Sequence, residues 1–372
     1  MNAAQLITAL ERIAPPHLAE AWDNTGLLAG DPGDAIAGPV VLTIDLDEAV
    51  LEEAIELNAS AIVAYHPPIF RPIQRLTARD ARQWLVLRAI RAGIVLYSPH
   101  TALDAAPDGL TDWLASAIGA GDTRALTPAS GPGSAVKIVT FVPESHLEQL
   151  QSALAASGAG RIGEYERCSF STTGTGTFQG GPGTDPAAGV AGRLESVQER
   201  RLEMICPAKA APLAIEALRG LHPYEEPAID VYPLEPLPAR GAGAGRRVML
   251  DQATTIAEAC ERVKAHLGIE RLKYATPDRR DDRRVSVVGA VAGAGGSMID
   301  AVDANGCDLF LTGELTHHEV IAALDRGVSV ILAGHTNSER GYLPTLARRM
   351  TQLLPSVDAR VSERDRTPVR WV

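Results

Sequence analysis

Three of the nine histidines in this chain stand just after an apolar run that reads as a β-strand. Tyr65-His66-Pro67-Pro68 follows Ala61 to Ala64, Ser98-Pro99-His100 follows Ile94 to Tyr97 with Asp104 four residues later, and Gly334-His335 follows Val328 to Ala333. Glu339 lies four residues beyond His335, so a helix beginning near Thr336 would bring both side chains toward one spot. Imidazole and carboxylate donors together suit zinc, iron, manganese, cobalt or nickel, and a carboxylate can bridge two ions. A single strand-end histidine is as readily a helix cap or the filling of a polar pocket. Convergence of His66, Asp104, His335 and Glu339 is a different matter, and points to one or two divalent ions, with zinc, iron or manganese foremost.

Other motifs carry weaker signals. The stretch GAVAGAGGSMID, residues 289–300, could offer backbone N–H groups to a phosphate. It lacks the GK[ST] ending of a Walker loop, and Met298 occupies the place of the third glycine in a GxGxxG reading, so a tight structural turn is the simpler account. GAGAG at 241–245 reads as linker. His317 and His318 follow Gly313-Glu314, where one of them would line the site. His222-Pro223-Tyr224-Glu225-Glu226 reads as the shaping of a turn and not as a ligand set.

These residues need a scaffold, and in an open parallel sheet ligands bind beyond the carboxyl ends of the strands. Strand-like Val40 to Ile44, helical Asp47 to Leu57, strand-like Ala61 to Ala64, helical Thr77 to Ala92, strand-like Ile94 to Tyr97 and helical Gly109 to Ile118 alternate in the first third. Such alternation implies an α/β fold with a parallel sheet covered by helices. The last third repeats it, with strands at Val285 to Val288, Asp308 to Leu311 and Val328 to Leu332 and helices from Ser297 and Thr316. Between them lie two units, each reading strand, Pro, helix, turn, strand, the recipe for a ferredoxin-like α+β layer. TPASGPGSA and PLPARGAGAGRR would be its bounding linkers, and STTGTGTFQGGPGTDPAAG a long loop inside it. The expected division is 1–134 and 245–372 for the two parts of the α/β domain, with 135–237 as the insert.

Composition agrees with two packed domains: 372 residues, 45% hydrophobic and 22% charged. A net charge of −11 and the lack of any basic run argue against nucleic acid as a partner. No apolar stretch approaches the ~20 residues of a membrane span, and the N-terminus reads as an amphipathic helix and not a signal peptide, so a cytoplasmic location is expected. Cys168, Cys206, Cys260 and Cys307 form no CxxC pair and are expected to be reduced.

Taken together, AEAWDNTGLLAGDP, AYHPPIFRPI, YSPHTALDAAPDGL, IGEY, HPYEEPA, DVYPLE, FLTGELTHHE and GHTNSERGYL resemble the NIF-three-like dinuclear-metal family over nearly the whole chain. Many of its members carry the name GTP cyclohydrolase type-two homologue. The resemblance implies a two-part α/β domain with parallel-type sheets, interrupted by a small ferredoxin-like (PII-like) insert, assembled as a toroidal homohexamer. It places the metal ligands on His66, Asp104, His335 and Glu339. Many members have two adjacent histidines before the proline where this chain has Tyr65-His66; Tyr65, His100 and His317 are therefore expected in the second shell or against substrate.

The leading functional expectation is a metal-dependent hydrolase acting on a small nucleotide-like substrate, with activated water attacking an electrophilic carbon such as that of the imidazole ring of guanine. The alternative is a metal-handling or regulatory protein that catalyses nothing. A scaffold binding nucleic acid is disfavoured by the acidic charge.

Overall fold

Short runs of Val, Ile and Leu become buried strands in the computed structural model, which describes residues 1–130, 135–235 and 238–369. The chain forms two compact units, one of residues 1–129 and 239–372, the other of residues 130–238.

The first unit contains two sheets. In one, Ala61–Ala64 lies between Val40–Thr43 and Val95–Ser98, all parallel, with every residue of these three strands buried. Burial on both faces explains why their sequences run apolar without alternation. Ala359–Val361 adds a parallel edge beside Val40–Thr43, and Gly26–Ala29 an antiparallel one beside Val95–Ser98. The C-terminal end of the chain thus completes the N-terminal sheet. In the second sheet Ser329–Leu332, Leu309–Glu314 and Arg284–Ala294 run parallel, Pro238–Thr255 pairs antiparallel with Arg284–Ala294, and Gly121–Ser130 forms the far edge.

Helices begin where side-chain caps dictate. Asn2 and Gln5 form a capping box that opens Ala3–Ile13, Asp47 caps Glu48–Glu56, and Thr316 with Glu319 opens His317–Asp325. Leu6 and Leu10 of the first helix join Leu42, Tyr97, Leu311 and Ile331 in one core that spans both sheets.

GAGAG, expected as linker, lies within the strand Pro238–Thr255. Its glycines answer a steric demand: a Cβ at Gly243 (φ +141°) would stand 2.2 Å from the Thr127 carbonyl oxygen. TPASGPGSA is likewise strand through Ser130, and its residues 131–134 lie outside the described residues, as do 236 and 237 of the second expected linker.

The second unit is an antiparallel sheet in the order Phe170–Gln179, Leu194–Pro207, Ala135–Val142, Ile229–Leu234. Counted along the chain this is the 4-1-3-2 order of a ferredoxin-like layer, with the helices Leu147–Ala156 and Ala211–Leu221 placed after its first and third strands. Leu150, Leu154, Ala214 and Leu218 of those helices pack with Ile138, Leu202 and Met204 of the sheet. Here too the expectation needs correction. IGEY is not a strand, for Ile162 and Tyr165 form only an isolated bridge, and the Thr/Gly-rich stretch expected as a loop supplies the second strand through residue 179. β-Branched Thr172, Thr173, Thr175 and Thr177 favour the extended backbone, which a reading centred on glycine overlooks.

Candidate metal centre

Each histidine reaches the centre because its strand stops there. Tyr65 and His66 extend the ladder by one step, their N–H groups donating to the carbonyls of Thr43 (2.8 Å) and Ile44 (3.0 Å), before Pro67 and Pro68 end it. Gly334 does the same in the second sheet, donating to Gly313 O at 2.8 Å with φ +95°. His335 follows, and the short helix Asn337–Arg340 then carries Glu339 into the interior, where it is 1% exposed.

The result is a group of three donors: one nitrogen each from His66 and His335 and one oxygen of Glu339, all within 4.8 Å of one another. His66 Nε2 stands 3.6 Å from Glu339 Oε2, and His335 Nε2 stands 3.4 Å from Oε1. Both separations exceed a good hydrogen bond. They suit two donors sharing an ion at about 2.1 Å from each. Glu339 Oε2 is moreover buried without a hydrogen-bond partner, an arrangement that costs free energy unless a cation or water completes it.

The opposite nitrogen of every site histidine is held by a carboxylate. Asp45 takes Nδ1 of His66 (3.0 Å), Asp23 that of His100 (2.7 Å) and Glu314 that of His335 (2.9 Å). A carboxylate on Nδ1 fixes the proton there and leaves Nε2 free to ligate, the usual outer-shell arrangement around a bound metal. Burial works against a charge on His66, but the Asp45 hydrogen bond and Glu339 outweigh it and hold its pKa up at about 10. The His66 hydrogen bond in turn holds Asp45 below the usual carboxylate range. Asp23 is also kept low: burial would raise it, but His100 and Thr101 prevail. That same grip holds His100 at φ +27°, a backbone region that residues with a β-carbon rarely enter.

Asp104 lies outside the three-donor group. Its Oδ1 accepts the Tyr65 hydroxyl at 2.7 Å. Burial, opposed by that bond and by His100, and reinforced by Glu339, pushes its pKa up to about 6. Tyr65 is raised well above its ordinary value by burial and by Asp104. His100 rests 5.5 Å from the His66 ring and 5.4 Å from that of Tyr65, centre to centre.

His317 is not one of the three donors brought together. It is exposed, and its ring neighbour is His318 at 5.7 Å. Glu314, at the end of the same strand, supplies the contact from this segment instead. The glycine-rich turn expected near 289–300 is strand as far as Ala294, and its part in the site is steric: Gly293 (φ +61°) lies so close that a Cβ would stand 2.7 Å from Glu339 Oε1 and 3.2 Å from His335 Nε2. Asp365 ties the centre's two contributors together, accepting from Ile44 N at 2.8 Å and pairing with Arg340 beside Glu339.

The centre opens into a cleft of about 1070 Å³ lined by His66, His100, His335, Trp22, Phe70 and Arg82 among others. Among the described residues no helix is long and apolar enough to cross a membrane.

Comparison with known proteins accords with this architecture. NIF3-like protein 1 of Rattus norvegicus is 33% identical over the whole of this chain and 93% of its own length. The GTP cyclohydrolase 1 type 2 homolog of Bacillus subtilis is 34% identical over all of this chain and 99% of its own length. The crystal structure of the Bacillus cereus protein related to NIF3 superposes with a TM-score of 0.75 at 31% identity, covering 100% of this chain and 99% of the other. With the model of the Duf34/NIF3 (NGG1p interacting factor 3) family matching residues 1–368, the chain belongs to that family.

Proposed function

We propose that this chain holds a divalent ion on His66, His335 and Glu339, with Asp104 nearby to complete the set, and acts as a metal-dependent hydrolase on a small nucleotide-like substrate. The observation that carries this reading is the buried, unpartnered Glu339 oxygen facing His66 Nε2, where an ion would satisfy all three groups. Zinc, iron and manganese fit an imidazole and carboxylate set equally. A divalent ion held there would lower the pKa of water toward neutrality and polarise an oxygen of the substrate.

The chain's own groups do the rest. Asp45 and Glu314 hold the Nδ1 protons of His66 and His335, so that Nε2 of each is the nitrogen an ion would take at the centre, for His66 in exchange for a proton. His100, oriented by Asp23 and lining the cleft, is placed to hold or pass a proton. The three-donor group suits one ion, and Asp104, whose Oδ1 accepts the Tyr65 hydroxyl, stands ready as a ligand to a second.

The name of the Bacillus subtilis relative makes GTP the first compound to try. Protein loaded in turn with zinc, manganese and iron should convert GTP or a related nucleotide, and His335→Ala should abolish the conversion. No conversion by any metal form, with fast transfer of the ion to an acceptor apoprotein, would establish the metal-handling alternative instead. Against that alternative stands the cleft, which an ion buffer does not need.

A further inference from the structure

Beyond the Tyr65-His66 strand end the chain changes character. Between Pro67 and Arg82 it carries four arginines and a single acid, in a protein whose net charge is −11. That acid, Asp80, is engaged: its Oδ1 accepts from Gln83 N at 2.9 Å and caps the helix Ala81–Arg91. Arg71, Arg75 and Arg82 line the same cleft as His66, His100 and His335. Among the described residues none of the three makes a hydrogen bond or ion pair with a carboxylate. Arg88, farther along the same helix, shows the contrast, since it pairs with Glu48 and Glu52.

Two aromatic rings share this cleft. Trp22 is 60% and Phe70 45% exposed, with ring centroids 6.0 Å apart, and Trp22 also meets the edge of His100 at 6.1 Å. Large aromatic surface left in water at the mouth of a cleft is recognition surface. The cleft therefore segregates its charge. Carboxylates surround the histidines at its inner end, and guanidinium groups in no direct ion pair, with only Arg82 sensing the charge of Asp45, stand beside open π faces along the loop.

We propose that Arg71, Arg75 and Arg82 bind the phosphate groups, and Trp22 and Phe70 the ring, of a phosphorylated aromatic ligand such as a nucleoside triphosphate. The proposal rests on reading the cleft as the substrate site of the metal centre, and adds that affinity comes from this loop. Guanidinium groups suit phosphate because their fork of donors matches its oxygens. An oligophosphate presents enough oxygens to engage several of them at once.

Binding of GTP, guanosine and tripolyphosphate to the full chain can be followed by tryptophan fluorescence and calorimetry, alongside elemental analysis. In the triple variant Arg71→Gln, Arg75→Gln, Arg82→Gln, GTP binding should weaken by on the order of tenfold or more while metal content stays that of the parent. Tripolyphosphate should compete with GTP, guanosine should bind far more weakly, and added salt should reduce GTP affinity. His335→Ala should lose its metal yet keep most of its GTP affinity. All three arginines are exposed, so circular dichroism and melting of the triple variant should match the parent. GTP binding unchanged in the triple variant, or guanosine binding as tightly as GTP, would overturn the proposal. Failure of the metal reading would show separately, as full metal content in His335→Ala.

Discussion

His222 and His66 are both largely withdrawn from water, and yet their surroundings prepare them for opposite tasks. In the unit of residues 130–238, His222 Nε2 meets the Phe141 carbonyl at 3.2 Å and its Nδ1 accepts from Tyr224 N at 3.1 Å, so both nitrogens are used up by backbone. Burial lowers its pKa and favours the neutral ring. In the other unit His66 has a carboxylate on one nitrogen and an unsatisfied carboxylate facing the other. The lesson is that a ligand histidine is marked less by burial than by what holds its second nitrogen: backbone on both sides makes a structural residue, a carboxylate on one side leaves a donor.

The largest test of this contrast is removal of a donor. Glu339→Ala should lower metal affinity by more than the ~10–100-fold typical of an outer-shell change, read by calorimetry or competition with a chelator. His222→Ala should leave metal content untouched and destabilise the chain by about 1–3 kcal/mol, because it leaves buried backbone groups without partners; parallel melting curves and elemental analysis separate the two effects.

Next comes Asp45→Asn, which keeps the shape of the His66 contact but removes its charge. An affinity loss of about 10–100-fold is expected. No loss would mean that Asp45 balances local charge and does not orient a ligand.

The pH dependence sharpens the same point. His66 has its folded pKa raised from 6.5 to about 10, so its charged form stabilises the metal-free chain fully below pH 6.5, and that contribution is lost as pH rises through about 10. An ion competing for Nε2 must displace that proton. Metal affinity should therefore rise by about tenfold per pH unit between pH 7 and 9, with close to one proton released from His66 per ion bound. A flat profile would mean that His66 is already neutral across this range and that Asp45 and Glu339 do not hold a proton on it. The smallest effect belongs to His317→Ala: this exposed residue should change stability by no more than about 0.5 kcal/mol and leave metal content unaltered.

Much of this was legible in the residues because strand ends are legible. Four-residue runs of Val, Ile, Leu and Ala announce buried parallel strands, and the histidines after them fall at the sheet edge where ligands bind. Asp45 and Glu314 obey the same rule, one just after Val40–Thr43 and the other closing Leu309–Glu314, and could have been found by it. Asp23 could not, since it reaches His100 across 77 positions from a loop without periodicity. The glycines misled for a physical reason. Local sequence reads Gly243 as linker and Gly293 as part of a tight turn, whereas their cause is a backbone or side chain pressed against them from far along the chain. His317, also just past a strand end, is exposed at the start of its helix, and the three-donor group forms without it.

Anomalous diffraction from crystals grown with zinc addresses the central claim most directly. A peak about 2.0–2.2 Å from His66 Nε2, His335 Nε2 and an oxygen of Glu339 is the expected result. Full zinc loading in solution with no peak between these three residues would contradict it.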